Sequence, residues 1–210
     1  MKNERYTTLM YIIVFFLFTS RGYSQSLEIM PGNNFVFTDI QFFKPIDNTY
    51  RTTLFSRTRA RLTYNDEANG IDFFSGAYLN HTFPSGLGGT LIGRIDNRGS
   101  DLDLGIHFYK QGKDFSIFAL PSISLSQANL LSWFSIFKYR PVIKTDWNLY
   151  TSLELFSVLQ KGVHAASTQR IRIGLEHQSY RFGIAANISE LGAEWIIAND
   201  NYGVFLQKEF

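Results

Sequence analysis

The sequence contains no cysteine. That excludes a disulfide-stapled scaffold, a thiolate metal site and a bacterial lipoprotein anchor. It also carries little surplus charge. Lys and Arg number 20 against 18 Asp and Glu, a formal net charge of +2 without any basic run, which argues against nucleic acid as a partner. No long hydrophobic run is present either. The longest, residues 9–18, would rise only ~15 Å as a helix, about half the thickness of membrane hydrocarbon. His81, His107, His164 and His177 stand on separate segments without ligand spacing, and no GxSxG, P-loop or HExxH motif occurs. No metal and no cofactor is expected. What the chain has in quantity is apolar surface: 45% of its 210 residues are hydrophobic and 16% aromatic, which excludes disorder and suits one domain.

The first residues predict export. Lys2 and Arg5 precede the apolar stretch at 9–18, and polar residues follow it, with Gly22 and Ser24 at the −3 and −1 positions of a cut before Gln25. This is the three-part layout of a secretory signal peptide, residues 1–24; an uncleaved N-terminal helix is the alternative. Removing that segment takes three basic residues and one acidic residue from totals of 20 and 18, leaving 17 of each.

From residue 33 onward the chain reads with a period of two. In residues 54–64, Leu54, Ala60, Leu62 and Tyr64 share one face while Arg57, Arg59 and Arg61 share the other. A helix would scatter those arginines, whereas a strand collects them. Leu102, Leu104, Ile106 and Phe108 likewise oppose Asp103, Gly105, His107 and Tyr109, and Ile171, Ile173 and Leu175 oppose Arg170, Arg172 and Glu176. Turn residues punctuate the segments at 65–70, 84–86, 96–99 and 111–114. The spacing predicts about twelve strands, beginning near 34, 51, 71, 89, 102, 114, 128, 146, 165, 180, 193 and 201, with ten as the alternative count.

Two architectures share this period. A soluble sandwich buries its apolar face, whereas a membrane barrel turns it to lipid and encloses the polar one. The charged face is spread over many strands here, which favours the barrel. So do the aromatics near strand ends: Phe42, Phe43, Phe83, Tyr109, Tyr139, Trp147, Tyr180, Trp195 and Tyr202 are placed for interfacial girdles. The final segment, NYGVFLQKEF, alternates Tyr202, Val204, Leu206 and the terminal Phe210. It resembles the C-terminal signal strand of Gram-negative outer-membrane β-barrel proteins. The resemblance implies transient engagement by the barrel-assembly machinery.

The expected fold is therefore an all-β, transmembrane, antiparallel up-and-down barrel of residues 25–210 in the outer membrane, with both termini periplasmic. Its inward set is Arg57, Arg59, Arg61, Asp72, Arg94, Asp96, Asp103, His107, Glu154, Arg170, Arg172, Glu176, Arg181 and Glu194. These charges either pair and plug the lumen or line a narrow polar pore, and the Arg57–Arg59–Arg61 ladder suits carboxylates or phosphates. The function expected is a small passive channel for polar solutes or a structural, complex-forming barrel, without catalysis. Outer-membrane lipid is one partner and an envelope protein another. By strand count, the connections at 44–51 and 140–146 are short for extracellular loops, while 160–167 falls on the periplasmic side and is long for a turn there.

One catalytic alternative stands. His177 and Ser179 share a strand face and, by strand count, lie near the extracellular end. The pair is similar to the His-x-Ser of outer-membrane phospholipases and lipid A deacylases, which implies acyl-ester hydrolysis. Two departures mark it: Tyr180 stands where the deacylases have Asn, and the orienting acid has no clear place, since Glu190 lies toward the opposite membrane face.

Overall fold

The computed structural model describes residues 24–64, 71–97 and 99–210. The expected signal segment apart from Ser24, the 65–70 turn and Arg98 lie outside the described residues. Thirteen strands follow one another: β1 (Ser24–Pro31), β2 (Phe35–Pro45), β3 (Thr52–Thr63), β4 (Asp72–Thr82), β5 (Leu87–Asp96), β6 (Gly99–Gln111), β7 (Phe115–Ser124), β8 (Leu130–Tyr139), β9 (Val142–Lys144), β10 (Trp147–Gln160), β11 (Val163–His177), β12 (Tyr180–Leu191) and β13 (Ile196–Glu209). Each pairs antiparallel with its chain neighbours except that β8 pairs with β10, and β13 returns to β1. Twelve strands thus close into an up-and-down barrel, and the three-residue β9 lies beside β10 as an extra piece. Closure leaves no open edge among the barrel strands, the condition for crossing hydrocarbon.

The strand total matches the expectation, but two of the expected strands do not. β1 goes unnoticed in sequence because its SQSLEIMP run is short, polar and ended by Pro31. It is held in place by its partners: Ser26–Ile29 pair with β13 and Ser24–Pro31 with β2. At the other end, the expected starts at 193 and 201 belong to one strand, β13. Residues 192–195 form the preceding turn, so Glu194 is exposed there rather than inward.

Omitting β1 reverses the direction of the strands that follow. Phe210 N donates to Gln25 O at 2.9 Å, which fixes both ends of the described chain at one rim, here the terminal rim. The 46–51, 140–146 and 178–179 connections lie on that rim, and the β10–β11 turn lies on the far rim. Relative to the termini, this exchanges the rims expected for these connections, including that of His177 and Ser179. The 160–167 connection is a tight hairpin turn. Lys161 and Gly162 have φ of 53° and 79°, the two positive values that a type I′ turn requires.

The two faces sort as the alternation predicts. Ile106 (66% exposed), Ile184 (63%) and Val204 (57%) stand on the outer wall, while Arg57, Asp39 and Arg172 are buried inside. This is the reverse of a soluble protein. Phe43, Phe83, Tyr109, Tyr139, Trp147 and Tyr180 encircle the terminal rim. Tyr64, Phe73 and Trp195 stand exposed near the far rim.

Candidate functional site

A twelve-strand barrel encloses more space than an eight-strand one. Here long side chains occupy part of it. One apolar cluster joins Met30, Phe35 and Phe37 to Tyr150, Ala185 and Phe205. A second joins Ile92, Leu120 and Phe134, with Tyr78, Phe118, Ile136 and Phe156 packed against them.

A network of ion pairs crosses the lumen as well. Arg57 on β3 donates from Nε to both Asp39 oxygens at 2.9 and 2.8 Å, and from Nη1 to Glu154 Oε2 at 2.5 Å. Its neighbour on the same face, Arg59, donates to Glu154 Oε1 at 2.6 Å, and Arg170 on β11 donates to that same oxygen. In the ring, β3 and β10 stand six strands apart, so the Arg57–Glu154 and Arg59–Glu154 contacts span the lumen. Three guanidiniums share two carboxylates. Arginine suits this position because its flat fork binds carboxylates while its face stacks on rings. Arg170 lies 5.0 Å from the Phe37 centroid, and Arg59 lies 5.6 Å from that of Phe74.

Smaller assemblies surround this hub. Arg172 donates to Glu28 Oε1 at 2.7 Å and to Asn187 Oδ1 at 2.9 Å. Toward the terminal rim, Arg181 binds Glu176 and reaches Glu209 at 2.7 Å. Arg94 meets Asp101 at 2.7 Å and Asp103 at 3.3 Å. His107 sits between two threonines, with Nδ1 at 2.7 Å from Thr90 Oγ1 and Nε2 at 2.9 Å from Thr82 Oγ1. The Thr90 hydroxyl proton goes to Asn80 Oδ1, so toward the imidazole Thr90 accepts, and Nδ1 carries hydrogen. Gly88 makes room for that ring: a Cβ there would lie 2.4 Å from His107 Nε2 and 2.2 Å from the His81 carbonyl oxygen.

The structure therefore unites Arg57, Arg59, Glu154 and Arg170 in one network and sets Arg172, Glu176, Arg94 with Asp103, and His107 in separate ones. Arg61 pairs with Asp72 near the far rim, where Asp96 also lines a cavity. Four carboxylates of these networks lie outside the inward set expected from sequence: Asp39, Glu28, Asp101 and Glu209. Asp39 is legible in retrospect, since it shares parity with Phe37 and Gln41; Glu28 lies in the unrecognised β1.

His177 and Ser179 each make contacts with other residues. The His177 ring stacks on Trp147 at 4.4 Å, and its Nδ1 lies 2.9 Å from the Asp146 carbonyl oxygen. The Ser179 carbonyl accepts from Glu209 N at 2.8 Å, a role in joining β13 to the turn.

The cavity occupies the far half of the barrel and measures about 520 Å³. Arg59 and Arg170 line it with Phe74, Tyr78 and Phe156, while Arg61, Asp72 and Asp96 lie toward its mouth. Tyr202, Val204, Leu206 and Phe210, the residues of the expected assembly signal, are all exposed on the outside of the last strand and its end.

No family model matches the chain, and no curated protein matches it. Solved structures do resemble it. The NanC porin aligns with a TM-score of 0.55 and 9% identity, over 89% of this chain and 98% of that one. The KdgM porin in complex with disordered oligogalacturonate aligns at 0.53 and 9%, over 89% and 99%. A second KdgM porin structure gives 0.51 and 10%, over the same shares. These likenesses are of fold: the chain has the fold of Gram-negative outer-membrane β-barrels.

Proposed function

We propose that this protein is an integral barrel of the Gram-negative outer membrane, exported by residues 1–24, that is closed to solutes and serves a structural or complex-forming role. The cross-lumen hub carries this reading. Side chains lining a water-filled pore are wet, yet Arg57 is only 4% exposed and Asp39 only 2%. Apolar clusters fill the space around them, and pairing of this kind holds buried charges in place. The apolar outer wall supports membrane insertion. The outward alternation of Tyr202, Val204 and Leu206 supports recognition of the last strand by the barrel-assembly machinery. No ester hydrolysis is assigned, because the His177 ring is engaged by Trp147 and the Asp146 backbone.

The likeness to two porins favours a second reading, a passive channel. Planar-bilayer recording separates the two. The purified, correctly inserted protein is expected to be electrically silent. Discrete, reproducible openings from the unaltered chain would overturn the closed-barrel reading and establish the channel.

A further inference from the structure

The hub presents different faces to its two sides. Its carboxylates lie behind: neither Asp39 nor Glu154 is among the cavity's lining residues, whereas Arg59 and Arg170 both are. These two arginine side chains keep 13% and 14% exposure, against 4% for Arg57. Their Nε atoms are buried and make no hydrogen bond among the described residues, Arg59 Nε lying 3.9 Å from Asp39 Oδ2, so a ligand would be met by the outer edges of the guanidiniums. The hub as a whole holds three guanidiniums and two carboxylates, so a positive charge is left over, and it lies on the cavity side.

We infer that this cavity is a binding site for a small oxyanion, a carboxylate or phosphate carried on a body of about one sugar ring. The volume lies within the ~300–1,000 Å³ typical of small-molecule pockets. Guanidinium forks match the geometry of both anions. Phe74 and Phe156 supply apolar wall for the body of the ligand, and Thr168, Ser189 and Asn199 offer hydrogen bonds. At the mouth, Asp72 is bound to Arg61, so its negative charge is offset where a ligand enters; among the described lining residues Asp96 is the other acid. The same design leaves room for an anion on one side of the hub without opening a path through it. The site deepens the closed-barrel reading but does not require it, because binding is measured without transport.

Isothermal titration of the detergent-solubilised, folded barrel tests the inference. The probes are a hexuronate, inorganic phosphate and a neutral hexose, at low and high salt. Saturable binding of one or both anions is expected, weakened by salt, with the hexose much weaker. Hexuronate alone would identify the ligand as an organic carboxylate, and phosphate alone as a phosphate. Arg170→Gln should weaken binding roughly tenfold or more through loss of a charge-assisted contact. Because that change also touches the hub, Ser189→Trp provides a second variant that fills the cavity without removing a charge, and it should abolish binding. Retained heat-modifiable migration on a gel certifies the fold of each variant. Absence of saturable anion binding, equal binding of the neutral hexose, or binding unchanged in both folded variants overturns the site. Conductance recording bears only on closure, so the two readings fail separately.

Discussion

Arg57 and Glu154 are 97 positions apart in the chain, yet Nη1 of one meets Oε2 of the other at 2.5 Å across the lumen. Neighbouring strands alone could not bring them together. Their meeting requires the ring to close, because β3 and β10 become opposite walls only then. The contact therefore ties the stability of the interior to the closure of the barrel.

Glu154→Gln would leave Arg57, Arg59 and Arg170 facing the single charge of Asp39. Removing one partner from buried ion pairs typically costs about 3–5 kcal/mol. The variant should unfold from lipid vesicles at a correspondingly lower urea concentration. Bilayer recordings of the folded variant should show anion-selective openings, because the freed guanidiniums repel one another and admit water. An unaltered urea midpoint would remove the hub from the account of stability.

Ile184 tests the orientation of the wall. It is 63% exposed and pairs with Ile173 and Val204, themselves 47% and 57% exposed. In a soluble protein, arginine at an exposed surface site would change stability by only about ±0.5 kcal/mol. On a lipid-facing strand near the bilayer midplane, it should cost about 2–4 kcal/mol. Unfolding of Ile184→Arg from vesicles distinguishes the two, and a near-zero cost would mean that lipid does not cover this face.

Gly88 and Gly89 are adjacent but answer to different surroundings. A Cβ on Gly88 would collide with the His81 carbonyl and the His107 ring, whereas one on Gly89 meets no atom within 4 Å. Gly88→Ala should destabilise the barrel by roughly 1–3 kcal/mol through overpacking. Gly89→Ala should be neutral or slightly stabilising by reducing the freedom of the unfolded chain. Equal effects in the two variants would contradict the packing around His107.

Acid should selectively weaken the turn between β2 and β3. The Asp47 carboxylate accepts from Thr52 N at 2.7 Å, Thr49 N at 3.0 Å and Arg51 N at 3.0 Å. Hydrogen bonding led by Thr52 holds its pKa well below the usual value of 3.8. A depressed folded-state pKa stabilises the fold above the unfolded-state value, and that contribution is lost as pH falls through the folded one. The native chain should thus exceed Asp47→Asn in stability at neutral pH, with the gap narrowing only below about pH 4. Urea midpoints across pH measure this, and a gap that is flat through the acid range would refute it.

Much of the wall was legible because its signal is local. Arg57, Arg59 and Arg61 alternate with Ala60 and Leu62, and that pattern alone separates the two faces of the strand. Legibility failed where a strand carried few apolar residues. β1 is recognisable by its ladders to β2 and β13, since Ser26 and Glu28 have no local reason to be buried. That single omission also reversed the expected sides of the connections. Lys161 and Gly162 were absorbed into a longer loop because a type I′ turn depends on backbone angles that a lysine rarely adopts.

The amino-acid order by itself determined the period, the chemical character of each face and the aromatic end of the last strand, because these depend on neighbours two positions away. Tertiary structure decided which charges meet, which side chains pack together in the lumen and where a cavity remains. The physical reason is geometric. Alternation directs a side chain inward but says nothing about the distance to the opposite wall, and only closure of the ring sets how far Arg57 must reach to find Glu154.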